Sequence, residues 1–338
     1  MAYTAIDDPE AYFQVKLYTG DGADPTRAIT LDGDTDMSPN LILFKNRGGN
    51  HGTRVIDSVR GVNEVLVTHT TTAESTDDQY GYLASFDSDG FTTQKGSSGD
   101  QWNVNKTSDT YVAWCWKESA TAGFDIISYT GDGSDRDLSH SLSASPEFII
   151  IKQRSGSQDW STQSTALGLA NYVILNDTNA SAGTSGALVD AVSSSTISVD
   201  DNAYVNENTS TYIGYLWRSV QGFSAMGKYT GNGNADGAFI YTGFRPAYIM
   251  IRDTGNAENW FLFDNKRDGY NVNKVLLYAN TITADTTTGA NQIDLLSNGF
   301  KCRSTDNGTN RSGATGFIYM AFAEAPFVNS NGVPCNAR

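Results

Sequence analysis

The hydrophobic positions of this chain fall in short runs with the period of strands. Phe148-Ile149-Ile150-Ile151 is a continuous apolar stretch between Pro146 and Gly156, as suits a buried strand. Tyr111 to Trp116 alternates, with Val112, Trp114 and Trp116 on one face and Tyr111, Ala113 and Cys115 on the other. Both faces are apolar, so this strand is expected to be central and covered on both sides. No stretch sustains a helical period. Thr165 to Tyr172 comes nearest, and Gly168 interrupts it. Asp89-Gly90 and Asn298-Gly299 lie between strand-like runs, where Asx-Gly pairs make hairpin turns. Turn signals recur about every 10 residues, which predicts an all-β chain of β-sandwiches.

Three phrases then recur in the same order. Tyr18-Thr19-Gly20-Asp21-Gly22 returns as Tyr129-Thr130-Gly131-Asp132-Gly133 and Tyr229-Thr230-Gly231-Asn232-Gly233. Pro39-Asn40-Leu41-Ile42-Leu43-Phe44-Lys45 returns as Pro146 to Lys152 and as Pro246 to Arg252. Tyr111-Val112-Ala113-Trp114-Cys115-Trp116-Lys117 returns as Tyr212 to Arg218 and as Phe317 to Ala323. The spacing is that of a small domain and too long for solenoid repeats of ~20–50 residues. It predicts three tandem β-sandwich domains from an internal triplication: residues 1–120, 121–221 and 222–338, with boundaries near 120–123 and 220–222. Asp57-Ser58-Val59-Arg60 is echoed by Asp264-Asn265-Lys266-Arg267, and Ser88-Asp89-Gly90-Phe91 by Ser297-Asn298-Gly299-Phe300. The middle copy has neither echo and has diverged most.

Composition narrows the function. The 338 residues carry 23 Lys plus Arg against 38 Asp plus Glu, a net charge of −15. That argues against nucleic-acid partners, which call for a basic footprint, and against docking on an anionic membrane. Hydrophobic residues are 39% of the chain, ample for a core. No apolar run approaches the ~20 residues of a membrane helix. The start, Met1-Ala2-Tyr3-Thr4-Ala5-Ile6-Asp7-Asp8, is polar and acidic, unlike a signal peptide, so synthesis in a cytoplasm is expected. Cys115, Cys302 and Cys335 are odd in number and far apart, unlike a disulfide framework.

Few residues suggest chemistry. The Gly-x-Gly openings lack the third glycine and following helix of a phosphate cradle, and read as turns. Asp32, Asp34 and Asp36 alternate and could hold Ca²⁺. Without a glycine at the sixth position or a glutamate at the twelfth, where Leu43 stands, a solvated acidic turn is the simpler reading. His51, His69 and His140 are dispersed, which makes a structural zinc improbable. No Gly-x-Ser-x-Gly elbow is present. Cys115 lies inside an apolar strand and should be inert. Asp57 with Arg60, and Asp264 with Arg267, read as ion pairs tying down loops. No catalytic constellation emerges, so a non-enzyme is expected. Trp102, Trp160 and Trp260 lie in polar, turn-rich stretches beside Asn103, Asp159 and Asn259. An exposed indole near amides and carboxylates is a sugar-binding arrangement, so these residues are the candidate glycan site. Trp160 and Trp260 occupy equivalent positions 100 apart, which also fits a core role.

The phrases resemble repeated β-domains in virion proteins of marine tailed bacteriophages. The likeness rests on Tyr-Thr-Gly-x-Gly, the proline-led Ile-rich strand ending in Lys, Ser85 to Phe91, and Tyr111 to Lys117. It covers essentially the whole chain. It implies concanavalin-like sandwiches and a structural, tail-associated virion protein with a host-surface recognition role. With little room for a shaft, a compact tail-tip, knob or short-fibre protein is favoured. A capsid decoration or head-fibre protein is one alternative, and a polysaccharide depolymerase another. The expected partners are other virion proteins, a host-surface glycan, and further copies of this chain in a trimer or ring. The family brings no catalytic residues.

Overall fold

A computed structural model describes residues 3–76, 79–183, 188–287, 290–313 and 316–335. Among them the chain is all-β and antiparallel, apart from a helical turn at Asn307–Asn310 and a 3-10 turn at Pro9–Ala11.

The first unit contains β1 (Phe13–Thr19), β2 (Thr26–Ile29), β3 (Leu41–Asn46), β4 (Arg54–Asp57), β5 (Leu66–Val67), β6 (Tyr82–Asp87), β7 (Gly90–Gln94) and β8 (Thr110–Trp116). The second contains β9 (Phe124–Thr130), β10 (Arg136–Ser139), β11 (Phe148–Gln153), β12 (Ser161–Ser164), β13 (Asn171–Ile174), β14 (Ala182–Gly183), β15 (Val189–Val192), β16 (Thr196–Val199) and β17 (Thr211–Trp217). The third contains β18 (Ser224–Tyr229), β19 (Phe239–Tyr241), β20 (Phe244–Asp253), β21 (Phe261–Asp264), β22 (Val275–Tyr278), β23 (Thr286–Thr287), β24 (Ile293–Leu296), β25 (Gly299–Cys302) and β26 (Phe317–Pro326).

Each unit pairs a large sheet with a three-stranded one, and the strand order is the same each time. The large sheets run β1-β8-β3-β4-β5, β9-β17-β11-β12-β13-β14 and β18-β26-β20-β21-β22-β23. The small sheets run β2-β7-β6, β10-β16-β15 and β19-β25-β24. Register repeats too: Leu41 pairs with Trp116, Phe148 with Trp217, and Tyr248 with Phe322. The Gly-x-Gly openings are turns that seat on the segment before the closing strand. Gly22, Gly133 and Gly233 have φ of 69°, 68° and 64°, open to glycine at little cost. Each donates its N–H to the carbonyl of Asn105, Asn206 or Asn310.

The alternation along β8 sorts two cores. Tyr111, Ala113 and Cys115 face the unit's own small sheet, with Phe91 and Leu83. Val112, Trp114 and Trp116 face inward, into a cluster with residues of all three units. Ile213, Tyr215 and Trp217 do the same from β17, as do Ile318, Met320 and Phe322 from β26. Trp116 lies 6.5 Å from Trp217 and 5.6 Å from Phe322, ring centre to ring centre. The units are therefore not beads on a string. They share an aromatic centre.

Seams between units repeat in cyclic order. The buried cation ending each Ile-rich strand reaches a carbonyl of the preceding unit: Lys152 bonds Thr71 O at 3.1 Å, Arg252 bonds Asn179 O, and Lys45 bonds Thr281 O at 3.1 Å. Backbone bonds follow the same cycle, Glu74 N to Arg154 O, Ser181 N to Thr254 O, and Asp285 N to Arg47 O. The third of each set joins the last unit to the first, so the chain closes a ring on itself.

Two seams carry matching buried ion pairs. Arg60 Nε lies 2.5 Å from Asp57, and Arg267 Nε 2.5 Å from Asp264, with all four side chains fully buried. A neighbouring unit caps each carboxylate: Tyr215 Oη donates to Asp57 at 2.7 Å, and Trp114 Nε1 to Asp264 at 3.1 Å. At the third seam the equivalent positions are Ser164 and Leu167, so that seam lacks this pair.

Candidate functional site

The three tryptophans proposed for sugar binding part company. Trp160 and Trp260 are each 1% exposed. Their ring N–H groups donate across seams, Trp160 Nε1 to Val67 O at 3.2 Å and Trp260 Nε1 to Ile174 O at 2.9 Å. Neither has a free face for a sugar, so the expectation fails for both. Their polar neighbours are clamps. Asp159 accepts from Asn176 Nδ2 at 2.6 Å, and Asn259 from Asn280 Nδ2 at 2.9 Å. Asn176 and Asn280 in turn hold the backbone N–H of Trp160 and Trp260. Asp159 and Asn259 therefore serve the packing of the indoles.

The acidic turn is solvated. Asp32, Asp34 and Asp36 are exposed, and the Lys16 ammonium occupies the Asp32 carboxylate. Among the described residues no three His, Cys, Asp or Glu side chains converge on a metal position. Cys115 and Cys302 are buried free thiols, and burial pushes the Cys302 thiol up to about 12, which keeps it unreactive.

Trp102 is different. It is half-buried and lines a cleft of about 360 Å³ in the first unit. Tyr80 lies parallel to it, with ring centres 5.0 Å apart and planes 3° from parallel. His51 is tilted against the indole at 5.6 Å, and Lys106 Nζ stands 5.6 Å from its centre. Asn103, 5% exposed, lines the cleft with its backbone N–H on Tyr80 O. The opposite wall comes from β4, β5 and their loops: Asn50, Gly52, Arg54, Val67, His69 and Thr70. Ile282 of the third unit, 44% exposed, completes the rim. The cleft thus sits beside the seam that closes the ring.

Strand pairing explains the position. Arg54 pairs with Val67 as Ser161 pairs with Ile174 and Phe261 with Tyr278. The residue before each is Thr53, Trp160 and Trp260. Two seams are filled by an indole where the closing seam has a threonine, and the cleft opens beside it. Thr53 Oγ1 is buried without a hydrogen-bond partner.

Burial and nearby cations hold the titratable bases around the cleft toward their neutral forms. Burial, then the nearby Arg54 guanidinium, holds the His51 imidazole below its ordinary value. Burial, then Lys45 and Arg54, does the same for His69. The ammonium of Lys45 is desolvated behind this wall and falls to about 7. His69 Nδ1 is buried with no partner. Sequence reasoning missed His51, His69, Tyr80 and Arg54, which only the fold brings together. The one available signal was the break at Thr53 in the Trp160–Trp260 equivalence.

The chain matches the family described as Domain of unknown function (DUF7483) over residues 8–326, and it belongs to that family. The match spans the whole ring, in keeping with one folding unit. No curated protein and no solved structure matches it. Among the described residues no helix is long and apolar enough to cross a membrane.

Proposed function

We propose that this chain is a non-catalytic recognition protein of a tailed-phage virion, a compact tail-tip or knob component, and that the Trp102 cleft binds a glycan of the host surface. The virion assignment rests on the sequence resemblance. The binding assignment rests on one observation, the parallel Trp102–Tyr80 pair at a cleft lined by amides and imidazoles. A flat aromatic face takes the C–H face of a pyranose, and the surrounding polar groups take its hydroxyls. A rigid ring suits such a site, because pre-formed walls lower the ordering cost of binding.

The test is adsorption. Purified protein should compete with phage for host cells, and Trp102→Ala should lose that competition by tenfold or more while its melting temperature changes by only a few degrees, since the ring is half-buried. Equal competition by wild type and Trp102→Ala would overturn the binding assignment. A map of the particle with this chain placed on the capsid shell would move it to the decoration class.

A further inference from the structure

We infer that the free edge of the third unit's small sheet, with the aromatic patch around it, is the contact surface for a second copy of this chain. β19 ends its sheet. It pairs with β25 and, among the described residues, with no strand on its other side. Phe239 and Tyr241 alternate on its solvent face and flank the buried Ile240. Tyr241 lines a small cleft with Tyr3 and Phe327, and Tyr3 lies against Gly332, next to Val333. Tyr3, Phe239, Tyr241 and Val333 are 47–63% exposed. Apolar side chains gathered in one exposed patch mark a protein contact.

The other two units act as internal controls. Strand pairing aligns Ile240 with Ile29 and Leu138. Where the third unit exposes Phe239 and Tyr241, the first exposes Ala28 and Thr30, and the second Asp137 and Ser139. Ala238 likewise stands where Arg27 and Arg136 do. Those arginines donate to carbonyls at the ends of β1 and β9, Thr19 O at 2.6 Å and Thr130 O at 2.5 Å, and so hold a charge at their edges. Charge at an edge blocks pairing with another chain. The stretch Gly237 to Gly243 carries no charged residue. Two copies, each with a net charge of −15, repel one another, and a charge-free strip is where they can approach closely. Antiparallel pairing of β19 with its copy sets Phe239 against Tyr241 twice, and aromatic cross-strand pairs stabilise a sheet. Such a contact is twofold and closes after two copies, so it makes a pair rather than a trimer or ring. Four half-exposed side chains offer about 400 Å² per copy, half the ~800 Å² per partner of a standard interface, so the pair is weak.

Sedimentation equilibrium of the purified chain tests this. The mass should rise from 36.5 kDa toward twice that value between about 10 µM and about 500 µM protein. Raising NaCl toward ~1 M should tighten the pair severalfold, because salt screens the repulsion between the copies. Phe239→Lys and Tyr241→Lys should each weaken association by about tenfold or more, with the melting temperature unchanged, since both side chains are exposed. Ala28→Lys, at the matching position of the first unit, should leave association as it was. Phe239→Cys mixed with Tyr241→Cys, each in a Cys335→Ser background, should give a disulfide-linked pair on oxidation. A monomer across the whole concentration range would overturn the inference and leave the edge to a strand of another protein. A pair that persists undiminished in Tyr241→Lys and Phe239→Lys would overturn it as well, by placing the contact elsewhere on the chain.

Discussion

Asp57 shows how one side chain serves two levels of structure. Its Oδ1 accepts from the backbone N–H of Val59 and Arg60, which closes the loop after β4. Its Oδ2 takes Arg60 Nε and the Tyr215 hydroxyl, which ties the first unit to the second. Removing one partner of a fully buried pair leaves the other charge uncompensated, at a cost of about 3–5 kcal/mol. Asp57→Ala should lower stability by that amount in urea denaturation, whereas Tyr215→Phe should cost about 1–2 kcal/mol. Asp57→Ala combined with Arg60→Leu should cost less than the sum of the single changes, because the orphaned cation is gone. The ion pair was legible in sequence, since Asp and Arg recur three residues apart in two units. The tyrosine cap was not, lying 158 residues away. Trp160 and Trp260 misled for a related reason. Asp159 and Asn259 looked like surface chemistry because their partners Asn176 and Asn280 come 17 and 21 residues later.

At the scale of elements, the strands announced themselves. The period of two along β8 and the unbroken apolar run of β11 correspond to strands covered on both faces. What covers the inner face was invisible, because the seam bonds end on backbone carbonyls, which carry no sequence signature. The connectors between units carry their own chemistry. Glu118, after β8, accepts from Ile126 N of β9 at 3.2 Å. Burial, then a hydrogen bond shared with Asp125, raises its carboxyl to about 7. The unfolded chain releases that proton near pH 4.5, its ordinary value. Between those two values the folded state holds a proton that the unfolded state has lost, so this group's contribution to stability falls as pH rises toward 7 and is level above it. Urea midpoints from pH 4.5 to 8 should show that decline in the wild type and a flatter profile in Glu118→Gln. The difference will be modest, since solvent screens a half-exposed group. Identical profiles would refute the assignment.

At the scale of the molecule, a shared aromatic centre makes the units interdependent. Heating should give one calorimetric transition whose van't Hoff and calorimetric enthalpies agree, and residues 1–120 alone should not fold, because Trp114 and Trp116 would face water. Three resolved transitions would contradict a common core. The ring has a topological consequence as well. Asp7 accepts from both the backbone N–H and the hydroxyl of Ser330, so the start and end of the described chain are held side by side. A short peptide could join them, and the chain could instead be cut at 120–123, between β8 and β9, with every seam kept. Such a circular permutant would begin at the second unit and end at the first, yet trace the same path through space. Read this way the fold has a direction of travel but no first unit, and the position of the ends is a free parameter that moves where a tether emerges without moving the cleft.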